Sequence, residues 1–544
     1  MKIMTNSLVQ KGSRLSLLTL ASRVLGLVRE MTKAAFLGTS ALSDAFSLAF
    51  MIPNLLRRLF AENSISVAFI PTFRRHLEQE SRERINEFLS STFTLVTFAT
   101  TSTVALGIAV APLIIPFFGT VTGETVLLTR IMFPYLAIIS IAAFFQGILN
   151  GIKIFSPSGF TPILFNLIII GSTWLLSPIL DNPARAMAIG VVAGGFVQAA
   201  FQLPFVLKNG FRFSFVSPAK ALRDPGTRTV LRLIGPTIIG MAAYQLNDLV
   251  STLLAGNAGE GVLSSLQYSL RLQELILGVF AVSIGTVILP DLSGYAAKKE
   301  WTPFNRLLSN AMNTIALITI PITFYSLVSA EGLITLLFKT RSFTDESVAL
   351  TLKAFTWHIC GLYFIAVNRI ISPSFYAQQD SRSPTTAGIV SFGVNIALAA
   401  ALVLPMGGGG IALALSLSSA ANTALLVWFL GKKNTVDVRA MLRSTLLYAL
   451  KILVFSVIAA APVYFAKKPL YAVFAGQNRL VSQGVPLFIS FLLFAGIGGL
   501  LLLATKDPVA GAAFSRFTKK RAPTTSPDAV DAVSEAHKNF PGES

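Results

Sequence analysis

Apolar stretches of about twenty residues recur along nearly the whole chain, and each is long enough to cross a bilayer at about 1.5 Å per helical residue. Backbone N–H and C=O groups in hydrocarbon must find their partners within the segment, so such stretches are predicted to be helices. Composition agrees. The 544 residues are 53% hydrophobic and 13% charged, with a mean hydropathy of +0.68. A soluble domain carries about 25% charged residues. The predicted fold class is an all-α polytopic membrane protein.

Breaks between apolar runs place spans near 14–37, 43–70, 88–118, 125–151, 160–181 and 185–207. A second group lies near 229–255, 262–290, 304–329, 347–377, 385–405 and 408–430, and two more near 444–466 and 483–505. The expectation is therefore about fourteen helices, a span needing about 20 apolar residues. They divide into an N-lobe (1–207), a linker (208–228), a C-lobe (229–431) and a C-terminal helix pair (432–505). The polar tail at 506–544 has the composition of a disordered segment.

Alternate connections are basic, at Arg74 to Arg84, Lys208 to Arg232, Lys298 to Arg306 and Lys432 to Arg443. The intervening ones, such as Gly38 to Leu42 and Gly256 to Gly261, are short and poor in charge. The positive-inside rule makes the basic set, and both termini, cytoplasmic. Much of the net charge of +19 sits in these connections, so it reads as topology signal and attraction to anionic lipid rather than as a nucleic-acid surface. The N-terminus lacks the pattern of a cleavable leader, since Arg23 and Arg29 interrupt its apolar run. A single cysteine, Cys360, leaves no intramolecular disulfide and no multi-cysteine metal site.

An internal repeat is visible. The second and eighth spans end alike, in VAFIPTFRRHLEQE (Val67 to Glu80) and GTVILPDLSGYAAKKE (Gly285 to Glu300). FSPSGFTPILFN (Phe155 to Asn166) opens the fifth span, as DSRSPTTAGIVSFGVN (Asp380 to Asn395) opens the eleventh. Six spans followed by six in parallel orientation is a transporter architecture.

Arg23, Arg29 and Arg57 lie inside the first two spans, and Arg271 lies in the eighth. An intramembrane cation is expensive, faces a wet cavity as a rule, and marks a functional site. Arginine suits a phosphate-bearing ligand, because its planar fork donates two parallel hydrogen bonds and keeps its charge. Arg23 and Arg29 are six residues apart and do not share a helix face; Gly26 between them permits a bend or close packing. The plain structural readings pair Arg23 with Glu30, Arg271 with Glu274 and Arg58 with Glu62. Asp44, Glu62, Asp248 and Glu274 are candidates for ion coupling or gating, with capping of the second span as the simpler role for Asp44. His358 and Cys360 read as packing, and the GGGG run (Gly407 to Gly410) as a flexible turn. No nucleophile–base pair, P-loop or metal-ligand cluster is legible, so the chain reads as a transporter rather than an enzyme.

SRVLGLVRE, SDAFSLAFMIPNLLRRLFAENSISVAFIPTF and GTVILPDLS strongly resemble the MurJ (MviN) family of lipid II flippases in the MOP exporter superfamily. The likeness spans about the first 500 residues. It implies two six-helix lobes plus a C-terminal pair in the bacterial inner membrane, and movement of lipid II to the outer leaflet by alternating access. Its substrate-binding arginines map onto Arg23, Arg29, Arg57 and Arg271, and its acidic DAF position onto Asp44. Asp248 and Asn395 are the nearest positions to a sodium site that some members carry, although the eleventh span has no acid beyond Asp380. No cofactor is implied; coupling is left open between Na+, H+ and membrane potential. The expected partners are lipid II (undecaprenyl-pyrophosphate-linked disaccharide peptide), membrane lipids and cell-wall synthesis proteins, with no nucleic acid. Export of another polyprenyl-linked saccharide, and a scaffold that binds the lipid precursor without moving it, are the alternatives.

Overall fold

Helix starts in this chain are written by short polar residues. Ser40, Ser81, Asn182, Asp224, Thr344 and Asp437 each accept a hydrogen bond from a first-turn N–H, which satisfies donors that a helix leaves orphaned. The computed structural model describes residues 2–59, 68–119, 123–433 and 435–511, with side chains apart from 2–16, 235–244, 246 and 278–287. Glu62 and the tail beyond 511 lie outside the described residues.

The first group of helices is α1 (Lys2–Leu37), α2 (Ala41–Arg57), α3 (Ile70–Gln79), α4 (Arg82–Ile114), α5 (Gly123–Met132), α6 (Tyr135–Gly151), α7 (Ser156–Leu180) and α8 (Pro183–Lys208). The short α9 (Pro218–Arg223) leads to α10 (Pro225–Gly256), α11 (Val262–Ala297), α12 (Trp301–Phe338), α13 (Asp345–Cys360), α14 (Leu362–Ala377), α15 (Arg382–Met406) and α16 (Gly408–Gly431). The last pair is α17 (Val438–Val473) and α18 (Val485–Ala504). No β-strand occurs among the described residues. Among the described residues nine spans are long and apolar enough to cross a membrane, and ten if α13 and α14, bent by 41°, count as one. The remaining expected spans are α1, α2, α10 and α11, which carry most of the singled-out charges. A total of fourteen is compatible with this arrangement. The chain is a multi-pass membrane protein.

Two aromatic cores hold the bundle. One joins Phe69, Phe73, Phe88 and Phe144 in the first group of helices, and the other joins Phe304, Phe338, Phe355 and Phe375 in the second. A third apolar cluster, including Leu48, Phe118, Leu263, Leu266 and Ile411, lies on the seam between the two groups. In α17 and α18, Ala459, Ala460, Val463 and Phe494 pack on Phe324 and Tyr325 of α12. Lipid supplies no hydrophobic drive between helices, so such close packing and interhelical hydrogen bonds do the holding. Tyr325 accordingly donates to the Leu487 carbonyl at 2.8 Å.

Between α8 and α9 the chain is extended. The N–H groups of Arg212, Ser214 and Val216 donate to Asn86, Ser90 and Thr94, side chains spaced one turn apart on α4, at 3.1 Å each. Period two in the extended segment meets a helical row of acceptors, and the connection is thereby fixed to α4.

Candidate functional site

The seam is sealed where α1 turns into α2, the end that loop charge assigns to the outside. Asp44 lies wholly buried in the first turn of α2. Its carboxylate accepts from Gly261 N at 2.7 Å and Ser264 N at 2.8 Å, so it caps α11 of the opposite group. The cap expected on its own helix belongs to Ser40, whose hydroxyl accepts from Ser43 N at 3.3 Å; Asp44 is already one turn in and faces across the seam. Gly261 holds φ +77° with its α-carbon against Thr39, a conformation and a space that exclude a larger side chain. Tyr268 donates to the Gly38 carbonyl at 3.0 Å, and the hydroxyls of Thr39 and Ser347 lie 2.8 Å apart.

Deeper along the seam the arginines come into play. At about 1.5 Å per residue, Arg29 and Arg271 lie about 14 Å below the turns at Gly38 and Gly261, and Arg23 and Arg57 about 20 Å. Arg271 reaches from α11 onto α1, where its guanidinium lies against the Gly26 backbone; a methyl group at 26 would overlap it. Close packing, one of the two options Gly26 left open, is thus what the glycine permits. Arg271 also meets Glu274 at 3.4 Å, the expected i,i+3 pair.

Arg29 donates to Asn166 of α7 at 3.2 Å and to Glu30 at 2.7 Å. The pairing expected between Arg23 and Glu30 is replaced by this one, because seven residues along a helix is about 10 Å, while Arg29 is adjacent. Glu30 is within electrostatic reach of Arg29, Lys33 and Arg271, one carboxylate amid three cations from both helix groups. Arg23 is half-buried on the same helix. Arg57 donates to Asn54 on its own helix at 3.0 Å. Its neighbour Arg58 crosses to Asp248 on α10 at 3.2 Å.

Asp248 and Asn395 are not brought into one donor set. Asp248 faces Arg58, whereas Asn395 on α15 donates to Asn247 at 2.8 Å and lies near Ser251 and Ser418. Among the described residues no group of three His, Cys, Asp or Glu side chains has the geometry of a metal site. His358 is buried and bonded through Nδ1 to Ser269 at 2.6 Å.

Sequence reasoning missed Lys33. It is 3% exposed, and its Nζ donates to Ser47 at 2.5 Å and to Gln267 at 3.1 Å, with the Tyr268 ring 5.0 Å away. Its position three residues after Glu30 was available as a signal, but that acid was paired with Arg23, and the hydrogen-bond partners of Lys33 are uncharged. Arg369 on α14, also passed over, has an exposed side chain.

Two groups of membrane-spanning helices that meet along a seam of charged side chains have the architecture of a membrane transporter. The family described as Lipid II flippase MurJ matches residues 33–478. A protein of Treponema pallidum (strain Nichols) called probable lipid II flippase MurJ is 48% identical over 511 residues, 93% of this chain and 97% of its own. Lipid II flippase MurJ of Burkholderia cenocepacia is 32% identical, covering 68% of this chain and 73% of its own. A solved structure, lipid II flippase MurJ in an inward closed conformation, superposes with a TM-score of 0.74 at 26% identity, over 90% of this chain and 99% of its own. A multidrug resistance transporter of the MOP superfamily, inward-facing, shares the fold at a TM-score of 0.61 and 15% identity. The chain belongs to the MurJ family of lipid II flippases.

Proposed function

We propose that this chain flips lipid II from the cytoplasmic to the outer leaflet of the bacterial inner membrane by alternating access. The observation that carries the reading is Arg271 laid on Gly26 beside Arg29, a cationic contact between the two helix groups at depth. Arg23, Arg29, Arg57 and Arg271 bind the pyrophosphate of the head group and offset its desolvation, while the polyprenyl tail stays in lipid. Bidentate arginine contacts suit that anion. Charge neutralisation draws the cytoplasmic side of the groups together, and the bonds at the Gly38 end then open. Both termini are cytoplasmic in this scheme. Membrane potential is the proposed drive, since each charge moved across 100 mV is worth about 2.3 kcal/mol; no step is routed through a bound ion. Lipid II is the partner this requires, with cell-wall synthesis proteins as recipients of the flipped product.

The test is reconstitution in vesicles with lipid II placed in one leaflet, followed by measurement of its appearance in the other. Transfer by the wild-type chain, lost on Arg271→Ala, is the expected result. Binding without transfer would instead make the protein a scaffold for the lipid precursor.

A further inference from the structure

We infer that Lys33 is a fifth cargo cation, kept off the cargo while the Gly38 end is sealed and released to the cargo's diphosphate when that end opens. The inference rests on the flippase reading above. It starts from an imbalance. Lys33 is almost wholly buried, yet among the described residues its hydrogen-bond acceptors are the neutral Ser47 and Gln267. Of the two carboxylates within electrostatic reach, Glu30 is shared with Arg29 and Arg271 and Asp44 is taken by the Gly261 and Ser264 N–H groups, so the ammonium is undercompensated and gains from an anionic oxygen more than an exposed lysine does.

The placement of its two acceptors sets when that exchange occurs. Ser47 is on α2, in the same helix group as Lys33, whereas Gln267 is on α11 in the other. Separation of the groups at this end removes Gln267 and leaves Ser47, so Lys33 regains a free donor aimed into the opening cleft. Lys33 lies about 7 Å below the turn at Gly38 and Arg29 about 14 Å, at the helical rise, which places the lysine between the arginine level and the exit. Both line one small cavity of about 40 Å³, together with Glu30, Phe46, Ser47 and Gln267. In this cavity the Lys33 ammonium is turned to Ser47 and Gln267, so in the sealed state those donors are already engaged. The diphosphate thus meets Lys33 only after the groups part, and the Lys33–Gln267 bond is exchanged for a Lys33–phosphate bond. Lys33 is a positioning residue for release.

The test uses a Cys360→Ser chain with Thr39→Cys and Ser347→Cys, whose disulfide reports the sealed end, reconstituted in vesicles with lipid II as the probe. In this background, lipid II lowers the disulfide yield and is flipped. Lys33→Met, which fills the buried position with an apolar chain, binds lipid II within about twofold of the background but keeps a high disulfide yield and flips about tenfold more slowly, the size of one lost charged hydrogen bond. Gln267→Glu gives the ammonium a permanent anion and has the same effect. Gln267→Leu lowers the disulfide yield before any lipid II is added. A Lys33→Met chain whose disulfide response and flipping match the background overturns this inference and leaves the flippase reading intact. A background that neither binds nor responds to lipid II overturns the flippase reading and this inference with it.

Discussion

At the Gly38 end of the seam, Asp44 is wholly buried and both of its oxygens take backbone N–H groups of α11. Farther down, Asp248 is half exposed and meets one Arg58 nitrogen at 3.2 Å. Both contacts join the same two helix groups, and both use an acid. They differ in what breaking them leaves behind. Without Asp44, the first turn of α11 has buried donors and no acceptor; without Asp248, Arg58 retains water and Gln245. Breaking the first contact therefore leaves buried donors that something must satisfy, whereas breaking the second costs little.

The sharpest way to break this comparison is through the cargo. Arg271→Ala is expected to lower lipid II flipping by about a hundredfold, the weight of two charge-assisted hydrogen bonds, while thermal unfolding in detergent stays near wild type. Normal flipping by that variant, or by Arg57→Ala, would remove the arginine seam from the mechanism. Next comes the seal. Asp44→Ala should lower stability by about 3 kcal/mol and Asp44→Asn, which keeps one acceptor, by about half as much, read from unfolding curves. Equal curves for all three proteins would show the cap to be dispensable. Gly26→Ala should displace the Arg271 guanidinium and slow flipping by about tenfold without changing the unfolding midpoint, the scale of one misplaced contact. The smallest effect belongs to the exposed pair: Arg58→Ala or Asp248→Asn should change stability by less than about 1 kcal/mol.

A pH prediction concerns a contact outside the spans. Partial burial of Asp380 pushes its carboxyl up, but hydrogen bonds from Lys433 and Ser383 outweigh this and hold it at about 2, below its ordinary 3.8. A depressed carboxyl stabilises the fold above pH 3.8 and loses that contribution as pH falls through about 2. Asp380→Asn should therefore flatten the acid limb of the stability curve between those values, and an unchanged limb would assign the acid sensitivity elsewhere.

The helical class and the arginines were legible because both break strong rules: apolar length, and charge in an apolar run. Arg271 could be placed at the depth of Arg29 by counting residues, but its seat on Gly26 could not, since a glycine carries no statement of what approaches it. Asp44 announced an acid near a helix start without saying which helix. Lys33 stayed hidden because the acid three residues before it, Glu30, was paired with Arg23, and because its hydrogen-bond partners Ser47 and Gln267 are neutral. The Asn395–Asn247 bond likewise needed coordinates, as neither amide stands out among the polar residues of α10 and α15.

The row of Asn86, Ser90 and Thr94 along α4 has a mechanical consequence for any such motion. Because those three side chains grip Arg212, Ser214 and Val216, the covalent connection between the two helix groups is no slack tether. It is fixed to the first group as far as Asp224, where α9 ends and α10 begins and where Arg84 of α4 meets the carboxylate at 3.2 Å. Just beyond it the Gly226 α-carbon sits against the rings of His76 and Phe88, and the hydroxyls of Thr227 and Thr92 lie 3.2 Å apart, so the first group holds the first turn of α10 as well.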